Sequence, residues 1–221
     1  MIKCCVFDLD GTLLNTLETI RYYVNRTLEK YGKAPISEDE CRCFVGSGAR
    51  ALIKRAFDSR GGVPDELFEK ALIEYIADYD ADPYYLTEKY SGIDKLVEGL
   101  KERGIALAVL SNKPDFATKS AVNYFFGGAF DIVFGGREGI ALKPGTDGCF
   151  EILARLGTSP EECAYIGDSD VDVMTAKNMN AGLKIAVSWG FRTKEELKDA
   201  GAELIIDAPE KIISLGENKR R

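Results

Sequence analysis

Six side chains carry most of the chemistry open to this sequence. Asp8 and Asp10 stand two residues apart in Asp8-Leu9-Asp10-Gly11-Thr12, and Ser111 closes an apolar run. Lys143 lies in Leu142-Lys143-Pro144, and Asp168 and Asp172 lie in Gly167-Asp168-Ser169-Asp170-Val171-Asp172. Four acids, one hydroxyl and one lysine suit a divalent cation and a phosphoryl group, because hard cations seek carboxylate oxygen and an ammonium neutralises phosphoryl charge. The chain has no histidine. That absence removes Ser-His-Asp triads, Cys-His pairs, H-E-x-x-H zinc sites and histidine acid–base catalysis together.

These residues act together only if the elements around them converge. Ile2 to Phe7 is a compact run of β-formers and reads as a buried strand ending at the first acidic turn. Helical periodicity then takes over: Leu17 to Tyr31, a short helix opened by a Ser37/Glu40 capping-box pattern, Ala49 to Phe57, and a longer stretch from Pro64 with Leu67, Phe68, Ala71, Leu72, Tyr75, Ile76 and Tyr79 on one face. No convincing strand appears between about Asn15 and about Tyr85. After Pro83 helices alternate with short strands at Ile105–Leu110, Asp131–Phe134, Cys163–Ile166, Leu183–Val187 and Glu203–Ile206, the helices being Ile93–Glu102, Phe116–Phe126, Cys149–Leu156, Val171–Met179 and Lys194–Ala200. That alternation implies right-handed βαβ crossovers and a mainly parallel sheet. Glu217 to Arg221 reads as a frayed charged tail.

Such sheets bind ligands beyond the carboxyl ends of their strands. Asp8 and Asp10 follow the first strand, Ser111 the second, and Asp168 and Asp172 the strand that ends at Ile166, while Lys143 sits on the connection between the third and fourth. The expected architecture is therefore α/β, a Rossmann-like parallel core over residues 1–14 and 86–221 with a small helical cap inserted over 15–85.

Composition bounds the rest. The 221 residues are 45% apolar and 29% charged, ordinary values for a globular chain with a full core. Acidic residues outnumber basic ones 36 to 29, so no long-range field favours a nucleic acid polymer or an anionic membrane. No apolar run approaches the roughly 20 residues of a membrane span, and the first ten residues reach acids too soon for a secretory signal. A cytoplasmic address is expected. The six cysteines form no C-x-x-C pair and are expected to be reduced structural thiols. The oligomeric state, monomer or homodimer, stays open.

Asp8-Leu9-Asp10-Gly11-Thr12 resembles the D-x-D-x-T signature of the haloacid dehalogenase superfamily, and Ser111, Lys143 and the Gly167–Asp172 segment follow in that family's order and contexts. The helical insert directly after the first motif resembles the cap of the phosphoglycolate phosphatase branch. The resemblance spans nearly the whole chain. It implies a phosphatase acting on a small phosphorylated metabolite with Mg²⁺ as cofactor. Asp8 is then the nucleophile that forms an aspartyl-phosphate, and Asp10 the acid that protonates the leaving oxygen and later activates water. Asp8, Asp168 and the backbone carbonyl of Asp10 are the expected metal ligands. Lys143 and Ser111 face the phosphoryl oxygens, Asp172 orients Lys143 or a metal-held water, and Thr12 stabilises the turn.

In the cap, Gly46-Ser47-Gly48 with Arg50 resembles the loop that faces the active site in phosphoglycolate-type enzymes, where helix-start N–H groups beside a guanidinium suit a carboxylate or second phosphate. A plain turn between two helices explains the same residues. Asn112, next to Ser111, is a further candidate for substrate contact, and Trp189-Gly190 with Arg192 could touch the cap. Asn15 stands where many relatives carry an acid. Two other functions fit the motifs: a phosphosugar mutase of the β-phosphoglucomutase type, disfavoured by the missing cap histidine, and a non-catalytic phospho-switch, disfavoured because a receiver-type acceptor follows a middle strand of a single domain, whereas Asp8 follows the first strand in the chain and a cap interrupts the core.

Overall fold

The computed structural model describes residues 1–215, so the tail expected over Glu217–Arg221 lies outside the described residues. Strand β1 (Cys4–Phe7) is buried along its whole length. That is the consequence of a continuous apolar run placed in the middle of a parallel sheet covered on both faces. β4 (Ala106–Pro114) and β6 (Cys163–Gly167) flank it, β5 (Ile132–Gly136) lies outside β4, and β7 (Leu183–Val187) and β8 (Leu204–Ile206) lie outside β6. All five pairings are parallel.

Alternate residues of each strand feed opposite faces. Cys5, Phe7, Leu107, Val109, Ala164 and Ile166 join one core layer, packed with α5 (Ile93–Glu102), α6 (Asp115–Phe126) and α10 (Glu210–Leu215). Cys4, Val6, Ala108, Leu110, Cys163 and Tyr165 join the other, with α7 (Asp147–Leu156) and α8 (Asp170–Asn178). The remaining helix, α9 (Lys194–Asp199), covers the outer strands through Leu197.

Between β1 and β4 the chain builds a separate apolar cluster from α1 (Leu17–Lys30), α2 (Glu38–Phe44), α3 (Gly48–Asp58) and α4 (Asp65–Ala81). α1 buries Leu17, Ile20, Val24 and Leu28, one helical stripe. The capping box of α2 is present: Glu40 N–H donates to Ser37 Oγ at 3.2 Å, and Ser37 N–H to Glu40 at 2.8 Å. Pro64 precedes α4 as its N-cap rather than occupying its first turn.

Two short strands were not expected. β2 (Leu14–Asn15) and β3 (Glu88–Lys89) form an antiparallel ribbon at the two crossings into and out of the helical insert. Asn15 thus belongs to a strand, and two residues are too few to show a period. The second correction concerns β4, which continues past Leu110 through Ser111 and Asn112 to Pro114, with an irregular register against β5. A turn of 3-10 helix at Pro160–Glu162 and helix α10 were also not anticipated.

Candidate active site

Asp8 sits at the end of β1, where the chain turns back on itself. The turn is held by the N–H groups of Thr12, Leu13 and Leu14, which all donate to the Leu9 carbonyl, and by Gly11 N–H donating to Leu14. Gly11 adopts φ +90°, and a Cβ there would strike the Asp168 carboxylate. Glycine is therefore required on both counts. Thr12 fixes the neighbouring acid: its hydroxyl donates to Asp168 Oδ1 at 3.0 Å, while Phe191 N–H donates to Oδ2 at 2.7 Å. Trp189 locks the same turn by donating to the Thr12 carbonyl at 3.0 Å.

Lys143 reaches in from the β5–α7 connection, its side chain only 3% exposed, and places its ammonium 2.8 Å from Asp8 Oδ1 and 2.8 Å from Asp172 Oδ1. Asp172 is fully engaged as an acceptor. Oδ1 also takes the Tyr165 hydroxyl at 3.0 Å, and Oδ2 takes the N–H of Ser169 at 3.2 Å and its hydroxyl at 2.6 Å. Asn112 clamps the lysine's backbone, accepting from Lys143 N–H at 2.7 Å and donating to the Lys143 carbonyl at 3.0 Å, and it also donates to Gly46 O at 2.9 Å. Ser111, buried at the cavity wall, accepts from Lys113 N–H at 3.2 Å, which leaves its own proton available for a phosphoryl oxygen.

The electrostatics follow from burial. Desolvation pushes Asp8 well above the usual carboxylate range, with the charges of Asp172 and Asp168 adding to it and Lys143 opposing. Asp168 is raised to about 7, first by burial and then by Asp172. Burial also works against ionised Asp172, yet the charge and hydrogen bond of Lys143, with Ser169 and Tyr165, hold it below its ordinary value. Lys143 is likewise penalised by burial, and the two aspartates outweigh that and keep it charged.

Oxygen atoms of Asp8, Asp168 and Asp172 all lie within 4.8 Å of one another. Burial and mutual repulsion of these acids, opposed by a single ammonium, leave their ionised forms in need of positive charge, and an all-oxygen donor set of this kind fits a hard divalent cation. Both oxygens of Asp172 already accept two donors each, from Lys143 and Tyr165 and from Ser169, whereas Lys143 engages only Oδ1 of Asp8 and each Asp168 oxygen accepts one donor, so Asp8 and Asp168 are the acids available to such an ion.

The same cavity is walled on the insert side by Ile20, Leu52, Tyr75, Ile76 and Tyr79. Gly46 and Gly48 also line it. Ser47, which precedes α3, and Arg50, in its first turn, do not: the Ser47 hydroxyl accepts from Arg55 at 3.2 Å, and Arg50, 62% exposed, makes a two-pronged pair with Glu69 at 2.7 and 2.6 Å. Arg50 is thus turned away from the cavity, because an acid on α4 captures its guanidinium. Arg192, by contrast, does reach the insert, donating to the carbonyls of Arg42 and Val45.

Lys113 and Tyr79 were missed. Lys113 lies two residues beyond Ser111 on the same strand end, and that adjacency was a usable signal. Tyr79 read as part of a packed helical face, which it also is. Of the cysteines, Cys43 alone is exposed, and all six are free thiols. Among the described residues no helix is long and apolar enough to cross a membrane.

A parallel sheet with a buried carboxylate after its central strand, a lysine and acids at neighbouring strand ends, and a helical insert above defines a class. The chain belongs to the haloacid dehalogenase-like hydrolases, whose family profile matches residues 5–187. Within that family it is similar to phosphoglycolate phosphatase 1 of Pseudomonas aeruginosa, at 30% identity over 93% of this chain and 76% of the relative. It is also similar to a phosphoglycolate phosphatase of Cereibacter sphaeroides, at 35% identity over 85% of each chain. A crystal structure from Lactobacillus delbrueckii subsp. bulgaricus, provisionally described as a phosphoglycolate phosphatase, superposes with a TM-score of 0.91 at 31% identity, covering 96% of this chain and 97% of that one.

Proposed function

We propose that the protein is a magnesium-dependent phosphatase of small phosphate monoesters that works through an aspartyl-phosphate on Asp8, with residues 15–85 acting as a cap over the core formed by 1–14 and 86–221. The observation that carries this reading is the Lys143 ammonium set 2.8 Å from Asp8 in a ring of buried acids. A carboxylate approaches a phosphate dianion only when positive charge intervenes, and enzymes of this chemistry supply accelerations reaching about 10²¹-fold, chiefly by positioning and charge neutralisation.

Asp8, Asp168 and the Asp10 carbonyl would hold the cation, which when bound supplies charge neutralisation at the phosphoryl oxygens. The chain's own residues do the rest. An Asp8 oxygen forms a bond to phosphorus as the bond to the leaving oxygen breaks, and Asp10 gives its proton to that oxygen. Asp10, now ionised, takes a proton from water, whose oxygen attacks phosphorus and frees Asp8 and inorganic phosphate. Lys143 and Ser111 stabilise the charge on the transferring group. The relatives' names favour phosphoglycolate among the candidate substrates, beside sugar phosphates and nucleoside monophosphates.

The test is phosphate release from some tens of phosphorylated metabolites with Mg²⁺ supplied, for wild type and Asp8→Asn. Release lost in the variant supports the reading. Isomer interconversion without release indicates a mutase, a long-lived phosphoprotein without turnover indicates a switch, and wild type inert toward every ester overturns the proposal.

A further inference from the structure

Lys113 is the other buried cation of the cavity, its side chain 6% exposed. A buried ammonium must be paired. Its Nζ lies 3.2 and 3.4 Å from the two carboxylate oxygens of Asp10 and 2.6 Å from the hydroxyl of Tyr79, whose ring centroid is 4.2 Å away. Lys113 is also the single side-chain partner that Asp10 has among the described residues. The acid of the reaction is therefore aimed by one lysine. That lysine comes from the core strand β4, and its remaining hydrogen bond is to the insert helix α4.

We propose that Lys113 is a positioning residue for Asp10, held in place by Tyr79 of the insert, so that the acid is aligned with the leaving oxygen when the insert covers the site. The proposal rests on the reading of Asp10 as general acid. Burial keeps the Tyr79 phenol protonated, well above its ordinary range, and the neutral hydroxyl accepts from the ammonium without competing for its charge. Asp80, whose carboxyl is raised by burial and opposed by Lys113, and Tyr75 face the same lysine from α4. The phosphoryl site has its own lysine, so Lys113 is left to serve the leaving-group side.

Leaving-group dependence separates alignment of the acid from a general structural role. A poor leaving group needs its proton as the P–O bond breaks, and a good one departs without it. We compare kcat/KM on p-nitrophenyl phosphate and on phenyl phosphate, two esters of similar size, with Mg²⁺ present. General acid catalysis contributes about 10²- to 10⁴-fold, so Lys113→Met is expected to lose about 10- to 100-fold on phenyl phosphate and less than about 3-fold on the nitro ester. Asp10→Asn should show the same selectivity more strongly, Tyr79→Phe more weakly, and Lys113→Arg should recover part of the loss. Tyr79→Phe removes one oxygen and tests the junction even where Lys113→Met does not fold. An equal loss on both esters in the Lys113 and Tyr79 variants, beside a selective Asp10→Asn, overturns the inference. So does a loss confined to 4-carboxyphenyl phosphate, which would make Lys113 a ligand of a substrate anion. Unselective Asp10→Asn, or wild type inert on both esters, instead removes the reading of the acid itself and the inference with it.

Discussion

Lys143 and Asp172 meet at 2.8 Å although 29 residues separate them in the chain, and the contact is almost wholly buried, at 3% and 2% side-chain exposure. The pair holds the ammonium beside Asp8, so the Asp8 carboxylate is positioned by a buried ion pair.

Asp172→Asn should therefore be costly to the fold. Breaking one partner out of a buried pair costs about 3–5 kcal/mol, and the lower end is expected here because Lys143 keeps Asp8. For a chain of this size each kcal/mol moves the melting temperature by about 2–4 °C, so a fall of about 6–12 °C is expected in a thermal melt. Turnover should fall as well, since the lysine is free to swing away from Asp8.

Cation binding should depend on pH through Asp168. Its folded value of about 7 lies above the ordinary carboxylate value, so the folded, metal-free protein holds this proton more tightly than the unfolded chain. The stability it contributes is present at low pH and is lost as pH rises from about 4 toward 7. A divalent ion needs the ionised form and competes with that proton. The melting shift produced by a fixed Mg²⁺ concentration should be larger at pH 8 than at pH 6, and chelation should abolish phosphatase activity at both. A shift independent of pH would argue against Asp168 as a ligand.

Gly190→Ala should disable the site while leaving the sheet intact. A Cβ at this position would strike both Asp168 and the Gly11 carbonyl. The acid must then move, and half-saturating Mg²⁺ in a phosphate-release assay should rise by about tenfold or more, a loss of the size produced by disturbing the groups that orient metal ligands.

Arg50→Ala should change kcat/KM by less than about threefold and leave the melting temperature nearly unchanged, because its partner Glu69 is also exposed and such surface pairs contribute little. A tenfold rise in KM for a carboxylate-bearing substrate would show that the guanidinium leaves Glu69 and turns inward during turnover.

What could be read from the residues alone is what local chemistry dictates. Apolar runs too short for helices, broken by Asp-Gly and Gly-Asp turns, mark the strands and place Asp8 and Asp168 just past their ends, while Ser111, expected at such an end, lies inside the longer β4. The 3.6-residue period marks the helices of the insert, and the Ser37/Glu40 cap is a contact between residues three apart. The expected helix Ile93–Glu102 is observed with the same bounds, since a strongly amphipathic segment after a left-handed Gly92 has little alternative.

The tertiary structure alone decided who pairs with whom. Arg50 and Lys113 are both cations close in sequence to cavity-lining residues, yet Glu69, 19 residues away, draws the first outward, and Asp10, 103 residues away, draws the second inward. The two-residue strands β2 and β3 exist only because their partners arrive from opposite ends of the insert. A charged side chain takes its position from the nearest opposite charge, and over such separations that neighbour is set by packing, on which local sequence pattern carries no information.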